Sequence, residues 1–282
     1  MKAPTPSRIL RRIKTIWRQA TIGTYQQLIP YLLQHCPWMI VPLKHEYSPW
    51  FLSPLDSIGH DIFHGEYEVG DLAFVSKYLQ PGMHCIDIGA NFGLVSLTMA
   101  RQVGPTGEVL AFEPAPGQYR LLRLNRWLHR FSQIKTFPVA VTRTAGSLSF
   151  HLITGQANQG LHTSVFPPYW AAGKAVPHRT ITVPAVSLDA LWKNKGVSRC
   201  DLIKIDVEGA EDQVLQGGLR FFQRFKPVVL LEISDHSLPV LLPLIRKMQY
   251  RLMKTDHQGK LTPVTVPKLS RYFARNFVLL PR

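Results

Sequence analysis

Short apolar runs and longer amphipathic segments alternate along most of the chain. The predicted strands are His84–Ile88, Glu108–Glu113, Ile134–Val141, Gly146–Leu152, Thr180–Val186, Asp201–Asp206 and Pro227–Ile233. The predicted helices are Asp71–Leu79, Phe92–Val103, Pro116–Arg130, Gly209–Gly217 and Leu238–Met248. Strands that alternate with helices of this length predict βαβ units and a parallel sheet. Two final predicted strands, near residues 250–255 and 273–280, have no helix between them, so we expect an antiparallel pair.

The region from about residue 146 to 186 interrupts this alternation. A polar stretch that contains glycines and prolines, Thr154–Arg179, lies between two of the predicted strands. An insertion of this length in a compact domain is often a lid or a binding loop. His162, Tyr169 and Trp170 are therefore candidates to line an acceptor pocket, with ordinary packing of a surface loop as the alternative.

Residues 1–60 form a separate N-terminal extension in this interpretation, and residues 61–282 form the main domain. The segment 8–20 has an apolar stripe on one helical face and arginines and lysines on the other, which predicts a basic amphipathic helix. That helix either packs on the domain or lies on an anionic membrane surface as a peripheral contact. We expect an irregular connector over Trp38–Gly65, and no transmembrane segment.

The turn from Asp87 to Gly93 carries the strongest chemical signal. An apolar strand ends in a carboxylate and passes through two glycines into a helix, as in the turns by which parallel α/β sheets bind nucleotide-like cofactors. The two glycines flank Asn91, and the G-x-G-x-x-G register of dinucleotide sites is missing. We therefore favour S-adenosylmethionine over NAD. Asp87 would pair with the ammonium of the methionine moiety, and Gly89 and Gly93 would leave room for the ligand.

Glu113 closes the next predicted strand, 20 residues after Gly93. An acidic residue at this position accepts hydrogen bonds from ribose hydroxyls. Taken alone it fits NAD as well as S-adenosylmethionine, or a glutamate that merely faces solvent.

A second acidic segment follows the predicted strand that ends at Asp206. Open α/β sheets bind ligands at the carboxyl ends of their strands, and carboxylates there are costly to bury without partners. We predict Asp206 or Glu208 as the base that takes a proton from an acceptor hydroxyl. Glu232, at the end of the neighbouring strand, is a third catalytic candidate. These oxygen ligands would also suit magnesium or manganese, but the favoured mechanism uses no metal.

Together these motifs resemble the FkbM family of S-adenosylmethionine-dependent methyltransferases. The matching segments are Gly65–Glu68, Pro81–Gly82, Ile86–Gly93, Phe112–Pro114, Val186–Asp189, Lys204–Glu211, Pro227–Glu232 and Asn276–Pro281. The resemblance implies an α/β fold: the Rossmann-like, seven-stranded sheet of class I methyltransferases, in order 3-2-1-4-5-7-6 with the last strand antiparallel. It also implies O-methylation of a hydroxyl on sugars, glycolipids, polyketides or related metabolites. The cofactor-binding residues that it implies are Glu68, Asp87, Gly89, Asn91, Gly93, Glu113, Ala140 and Asp206.

Charge keeps two alternatives open. The chain has 33 lysines and arginines against 18 aspartates and glutamates, a net charge of +15, which attracts anionic partners. We favour a small-molecule or glycan hydroxyl as the acceptor. The alternatives are an RNA methyltransferase and a membrane-tethered S-adenosylmethionine-binding module without catalysis. Three widely spaced cysteines predict reduced thiols in a cytoplasmic protein.

Overall fold

The computed structural model describes residues 38–41, 51–54, 67–154, 162–165, 168, 175–264 and 275–282. The chain divides into two compact units, residues 1–39 and 40–282. The predicted helix over residues 8–20 and the predicted boundary near residue 60 lie outside the described residues. Two short strands, β1 (Trp38–Val41) and β2 (Phe51–Pro54), pair with each other where the sequence predicted only an irregular connector.

All elements after β1 belong to the second unit. Its strands are β3 (His84–Ile88), β4 (Glu108–Phe112), β5 (Ile134–Phe137), β6 (Ala140–Val141), β7 (Gly146–Ile153), β8 (His178–Val186), β9 (Leu202–Ile205), β10 (Val228–Ile233), β11 (Tyr250–Thr255), β12 (Leu261–Pro263) and β13 (Arg275–Pro281). Its helices are α1 (Val69–Tyr78), α2 (Leu94–Val103), α3 (Pro116–Leu128), α4 (Leu188–Lys195), α5 (Glu211–Gln216), α6 (Leu219–Phe225) and α7 (Leu238–Lys247).

An eight-stranded sheet forms the centre of this unit, in the spatial order β12-β11-β13-β10-β9-β3-β4-β5. Five neighbouring strands of this sheet, β5, β4, β3, β9 and β10, run parallel to one another. Strand β13 is antiparallel to both of its neighbours, β10 and β11. Across the sheet, the strands β5, β4, β3, β9, β10, β13 and β11 follow the order 3-2-1-4-5-7-6 of a class I methyltransferase sheet, in which the seventh strand is antiparallel. The edge strand β12 is an addition that the sequence did not predict.

Burial on both faces explains why the central strands are apolar runs. All four residues of β9 are buried, as are the last four of β3 and of β4, which is typical of parallel strands covered by helices. The register pairs Ile88 with Phe112 on one side and with Ile205 on the other. Because these strands end at the same edge, the polar residues that follow them are brought together there.

The predicted third strand, Ile134–Val141, is wrong as a single element. The chain leaves the main sheet after β5, and β6 instead pairs in parallel with β8 in a separate three-stranded sheet of order β6-β8-β7. Pro138 stands at the break. Proline has no amide hydrogen to donate to a ladder, so it favours the point at which the chain changes sheets.

The predicted insertion at about 146–186 contains a long β-hairpin. Strands β7 and β8 pair antiparallel from Gly146–Ala185 to Ile153–His178. A small apolar cluster of Ala115, Ala140, Phe150 and Val183 fixes this hairpin beside the main sheet. His162 lies within the described residues, whereas Tyr169 and Trp170 do not.

Two further findings concern the helices and thiols. No helix within the described ranges is long and apolar enough to cross a membrane. Cys85 and Cys200 are buried free thiols, and Cys36 lies outside the described residues.

Candidate active site

A cavity of about 650 Å³ lies at the carboxyl ends of the central strands. This size is typical of pockets for small ligands and cofactors. Its lining is acidic, with a single cationic side chain, Lys204, among the described residues. The carboxylates on its wall are Glu68, Glu113, Asp206, Glu208 and Glu232. The predicted catalytic residues and the predicted ribose ligand therefore share one cavity.

The two glycines of the turn after β3 are required by protein contacts. A Cβ atom added to Gly89 would stand 1.7 Å from the backbone oxygen of Asp206, and one added to Gly93 would stand 2.6 Å from Cδ1 of Leu122. Both glycines also have a positive φ, a conformation that favours glycine. We expected these glycines to leave room for a ligand. Gly89, which also lines the cavity, lets the turn approach the end of β9, and Gly93 lets α2 begin against α3, so the room for a ligand stays a prediction.

Asp87 is placed behind this turn. Its side chain is fully buried, and its Oδ2 accepts a hydrogen bond from the Ser96 hydroxyl at 2.5 Å. Burial raises the pKa of Asp87, and the ammonium of Lys204 opposes this shift. Among the described residues Asp87 is not one of those that line the cavity. The direct pairing with a methionine ammonium that we predicted stays a prediction.

Glu113 follows β4 and is hydrogen-bonded to the turn after β3. Its Oε2 accepts the N–H of Asn91 and its Oε1 accepts the N–H of Ala115, each at 2.8 Å. Burial raises the pKa of Glu113 to about 7, although these two hydrogen bonds lower it. Asn91 holds a positive φ of 49°, which asparagine tolerates better than most residues. Glu113 thus holds the backbone of the turn while its side chain borders the cavity.

Lys204 is the centre of the acidic wall. Its Nζ lies 2.7 Å from Oδ2 of Asp206 and 3.6 Å from Oε1 of Glu68. Burial lowers the pKa of Lys204, but the carboxylates of Asp206, Glu68 and Asp87 outweigh burial and raise it well above its usual value. Lys204 therefore stays charged although it is buried on a central strand. Burial raises the pKa of Glu68 to about 8, with Lys204 opposing the shift.

Glu211 has a structural role that the sequence did not reveal. Its Oε1 accepts the N–H groups of Val207 and Gly209, both at 3.1 Å, and its side chain is buried. It thereby holds the loop that carries Asp206 and Glu208 into the cavity. An acidic residue in the first turn of α5 was visible in the sequence, but its bonds to the preceding loop were not.

Glu208 and Glu232 face the same cavity from two adjacent strand ends. Burial and the nearby carboxylate of Asp206 raise the pKa of both groups well above the usual range. Both carboxyl groups therefore keep a proton more readily than an exposed glutamate does. No three metal-ligating side chains among the described residues gather closely enough to hold a metal ion.

Other elements complete the wall. The hairpin contributes Leu148, Phe150, His162 and Ser164, and the predicted cofactor residue Ala140 lies near them with Val141. Tyr67 and Asn276 close the side next to Glu68. None of these except Ala140 and His162 was singled out from the sequence, because they come from segments far apart along the chain.

Three buried acceptor atoms on this wall have no hydrogen-bond partner within the described residues: Glu68 Oε2, Asn91 Oδ1 and Asn276 Oδ1. Buried acceptors without donors are costly. A ligand that carries positive charge and several N–H or O–H donors would satisfy them. S-adenosylmethionine has an ammonium, a sulfonium, an amino group and two ribose hydroxyls, so the residues present fit this cofactor.

A sequence profile of the methyltransferase FkbM domain matches residues 87–252, more than half of the chain. Methyltransferase sdnD of Sordaria araneosa is 33% identical over 47% of this chain and 59% of its own length. The 31-O-demethyl-FK506 methyltransferase FkbM of Streptomyces tacrolimicus is 30% identical over 49% of this chain and 60% of its own length. The 2-O-methyltransferase NoeI of Sinorhizobium fredii is 27% identical over 58% of this chain and 68% of its own length. The chain thus aligns with less than two thirds of sdnD and of the Streptomyces protein.

A crystal structure of methyltransferase FkbM from Methylobacillus flagellatus KT superposes with a TM-score of 0.46 at 13% identity, over 91% of this chain and 60% of that one. The profile match carries the assignment, and the sheet order agrees with it. The chain belongs to the FkbM family of S-adenosylmethionine-dependent methyltransferases.

Proposed function

We propose that this chain transfers a methyl group from S-adenosylmethionine to a hydroxyl of a sugar, a glycolipid or another secondary metabolite. The observation that carries the proposal is the pairing of buried Lys204 with Asp206 on the wall of an acidic cavity that also holds Glu113. Two relatives support oxygen as the acceptor atom, since NoeI and the Streptomyces enzyme are both named for methylation at oxygen.

The cofactor would be held by the residues whose acceptor groups border the cavity, namely Glu68, Asn91, Glu113 and Ala140. When bound, S-adenosylmethionine supplies an electrophilic methyl carbon on a positively charged sulfur. The carboxyl groups of the wall favour that charge, because opposite charges attract strongly where water is partly excluded. Glu113 and the turn at Asn91 are pre-positioned by their mutual hydrogen bond, so little reorganisation is needed.

Asp206 is the residue that we assign as the base. An alcohol becomes a competent nucleophile as its proton is removed, and a carboxylate within reach of that proton supplies this step. Asp206 lines the cavity with its Oδ2 2.7 Å from Nζ of Lys204, whereas burial and the carboxylate of Asp206 raise the pKa of Glu208 and Glu232 well above the usual range. Because a raised pKa favours the form that carries a proton, we assign Glu208 and Glu232 the role of donating hydrogen bonds that orient the acceptor.

The alternative acceptor, RNA, is motivated by the net charge of +15. A basic surface attracts the phosphate backbone. The wall of the cavity is acidic, however, and would repel a phosphate group close to the reacting atom. We therefore retain the hydroxyl acceptor as the proposal and treat RNA as an outcome of the same test.

The test uses S-adenosylmethionine with a radiolabelled methyl group, the purified protein, and a source-cell extract separated into lipid, saccharide, RNA and protein. We expect label in saccharide or glycolipid, and a loss of at least about 100-fold in Asp206→Asn if this residue is the base. Asp212→Asn is the matched control, because Asp212 lies on α5 and bonds Gln216. Label in RNA alone would refute the proposal. Unchanged turnover of Asp206→Asn would remove Asp206 from the role of base.

A further inference from the structure

We infer that His162 is the residue that orients the acceptor, by donating a hydrogen bond from its Nε2–H to an acceptor oxygen. This inference rests on the proposed function and adds to it a specificity-determining residue from the hairpin insertion. Three independent features of the described residues support it: the anchoring of the imidazole ring, the anchoring of its segment, and the location of the ring on the cavity wall.

The ring is held by its other nitrogen. The backbone N–H of Ile153, at the end of β7, donates to Nδ1 of His162 at 3.0 Å. Nδ1 is therefore an acceptor, and in a neutral imidazole the proton must then be on Nε2. Burial lowers the pKa of His162 to about 4, so the ring is neutral near physiological pH. Since His162 also lines the cavity, its remaining ring donor, the Nε2–H, is in this proposal directed toward that cavity.

The segment that carries His162 is hydrogen-bonded both to β7 and to the loop that carries Glu208. The next residue, Thr163, is fully buried and forms a bridge with His151 on β7 through backbone hydrogen bonds of 2.8 and 3.2 Å. Its hydroxyl donates to the backbone oxygen of Glu208 at 2.8 Å. His162 is therefore joined, through one residue, to the loop that holds the proposed base.

This arrangement separates two roles that a histidine in an active site can play. A general base needs an unprotonated nitrogen that faces the substrate, and His162 offers a protonated one. The donor suits an oxygen that is not itself losing a proton, such as a second hydroxyl or an ether oxygen of a sugar. An acceptor held at that oxygen by His162 would present its neighbouring hydroxyl to Asp206. The acceptor class that fits is a compound with at least two oxygens, such as a sugar.

The experiment compares four proteins: wild type, His162→Phe, His162→Gln and His151→Phe. Both variants remove the Nδ1 acceptor of the Ile153 N–H; phenylalanine also removes the Nε2–H donor, whereas glutamine places an amide N–H near the position of Nε2. His151→Phe makes the same change on β7, outside the cavity lining. The acceptor probe is the neutral glycan and glycolipid fraction of the source cells, which an anion-exchange column does not retain. Its concentration is varied and expressed as total hexose. The Kd of S-adenosylhomocysteine is measured for each protein by calorimetry.

We expect His162→Phe to raise the apparent KM for this fraction by about 3- to 10-fold, the effect of one lost neutral hydrogen bond. The Kd of S-adenosylhomocysteine should stay within about twofold, and His162→Gln and His151→Phe should resemble the wild type. An unchanged KM in His162→Phe overturns the inference and leaves the proposed function standing. A loss of S-adenosylhomocysteine binding in both His162 variants also overturns it, since the role is then structural. No label from the wild type in this fraction overturns the inference, whereas the proposed function is decided by the test on the whole extract.

Discussion

Replacement of Gly89 by alanine tests whether the close approach of two strand ends builds this site. In the structure, an added Cβ would lie 1.7 Å from the backbone oxygen of Asp206 and 2.9 Å from its carbonyl carbon. Real Cβ atoms do not approach backbone closer than 3.0 Å, so the two loops would have to separate by more than an ångström. That movement would break the hydrogen bond from the Asp206 N–H to the Ile88 oxygen at 3.1 Å.

The expected loss in the free energy of unfolding of Gly89→Ala has two parts. The positive φ of Gly89, 78°, costs a residue with a side chain about 1–2 kcal/mol. Forcing extra volume into a packed region costs about 1–3 kcal/mol more. We therefore expect Gly89→Ala to lower the free energy of unfolding by about 2–5 kcal/mol. Because Asp206 moves with its backbone, binding of S-adenosylhomocysteine should weaken as well.

Gly196→Ala is the matched control. Gly196 has a similar φ of 68°, but nothing lies within 4 Å of the position of its added Cβ. It should lose only the backbone contribution of about 1–2 kcal/mol and keep its ligand affinity. Urea unfolding measures both free energies, and calorimetry measures the ligand. Equal destabilisation of the two variants, with equal ligand affinity, would show that the steric contact does not build the site.

Three further predictions concern other parts of the molecule. Burial raises the pKa of Glu68 from 4.5 to about 8. As the pH rises, Glu68 therefore loses its proton at a lower pH in the unfolded chain than in the folded protein. The stability of the ligand-free protein should therefore fall as the pH rises from about 4.5 to 8. Melting temperatures measured across that range should show a flatter slope for Glu68→Gln than for the wild type. An unaltered slope would contradict the raised pKa of Glu68. Glu211→Ala should destabilise by about 1–3 kcal/mol in urea unfolding, since two backbone donors lose their acceptor, and Asp212→Ala should change stability by much less. Deletion of residues 1–25 should reduce co-sedimentation with phosphatidylserine vesicles; equal binding of both proteins would refute the membrane contact.

The strand ends and the chemistry beside them were predictable from the sequence. Buried parallel strands are short apolar runs, and the first polar residue after each run marks the ligand-binding edge of the sheet. That rule predicts Glu113, Asp206 and Glu232, and all three lie on the cavity wall. Glu68 was found only through the family resemblance, because it precedes a helix and lies far from the other residues in the chain.

Other features could not be predicted because they depend on contacts between distant segments. A glycine in a turn has the same local signature whether its free side faces a ligand or another strand, so the contact of Gly89 with Asp206 was not visible. The break at Pro138 was overlooked because the residues on either side continue an apolar run. The role of His162 depends on a hydrogen bond to Ile153, which no spacing rule specifies.

The distribution of charge gives the strongest physical argument for a small cationic cofactor in this basic protein. Of the 18 acidic residues in the chain, five line a single cavity, where Lys204 is the only described cation. Burial raises the pKa of Glu68, Glu208 and Glu232, and repulsion from neighbouring carboxylates adds to this shift. A bound positive charge would relieve that repulsion. The excess of lysine and arginine acts elsewhere and at longer range, where salt screens it. A polyanion drawn to that surface would still be repelled at the cavity itself, so net charge alone is a poor guide to the acceptor.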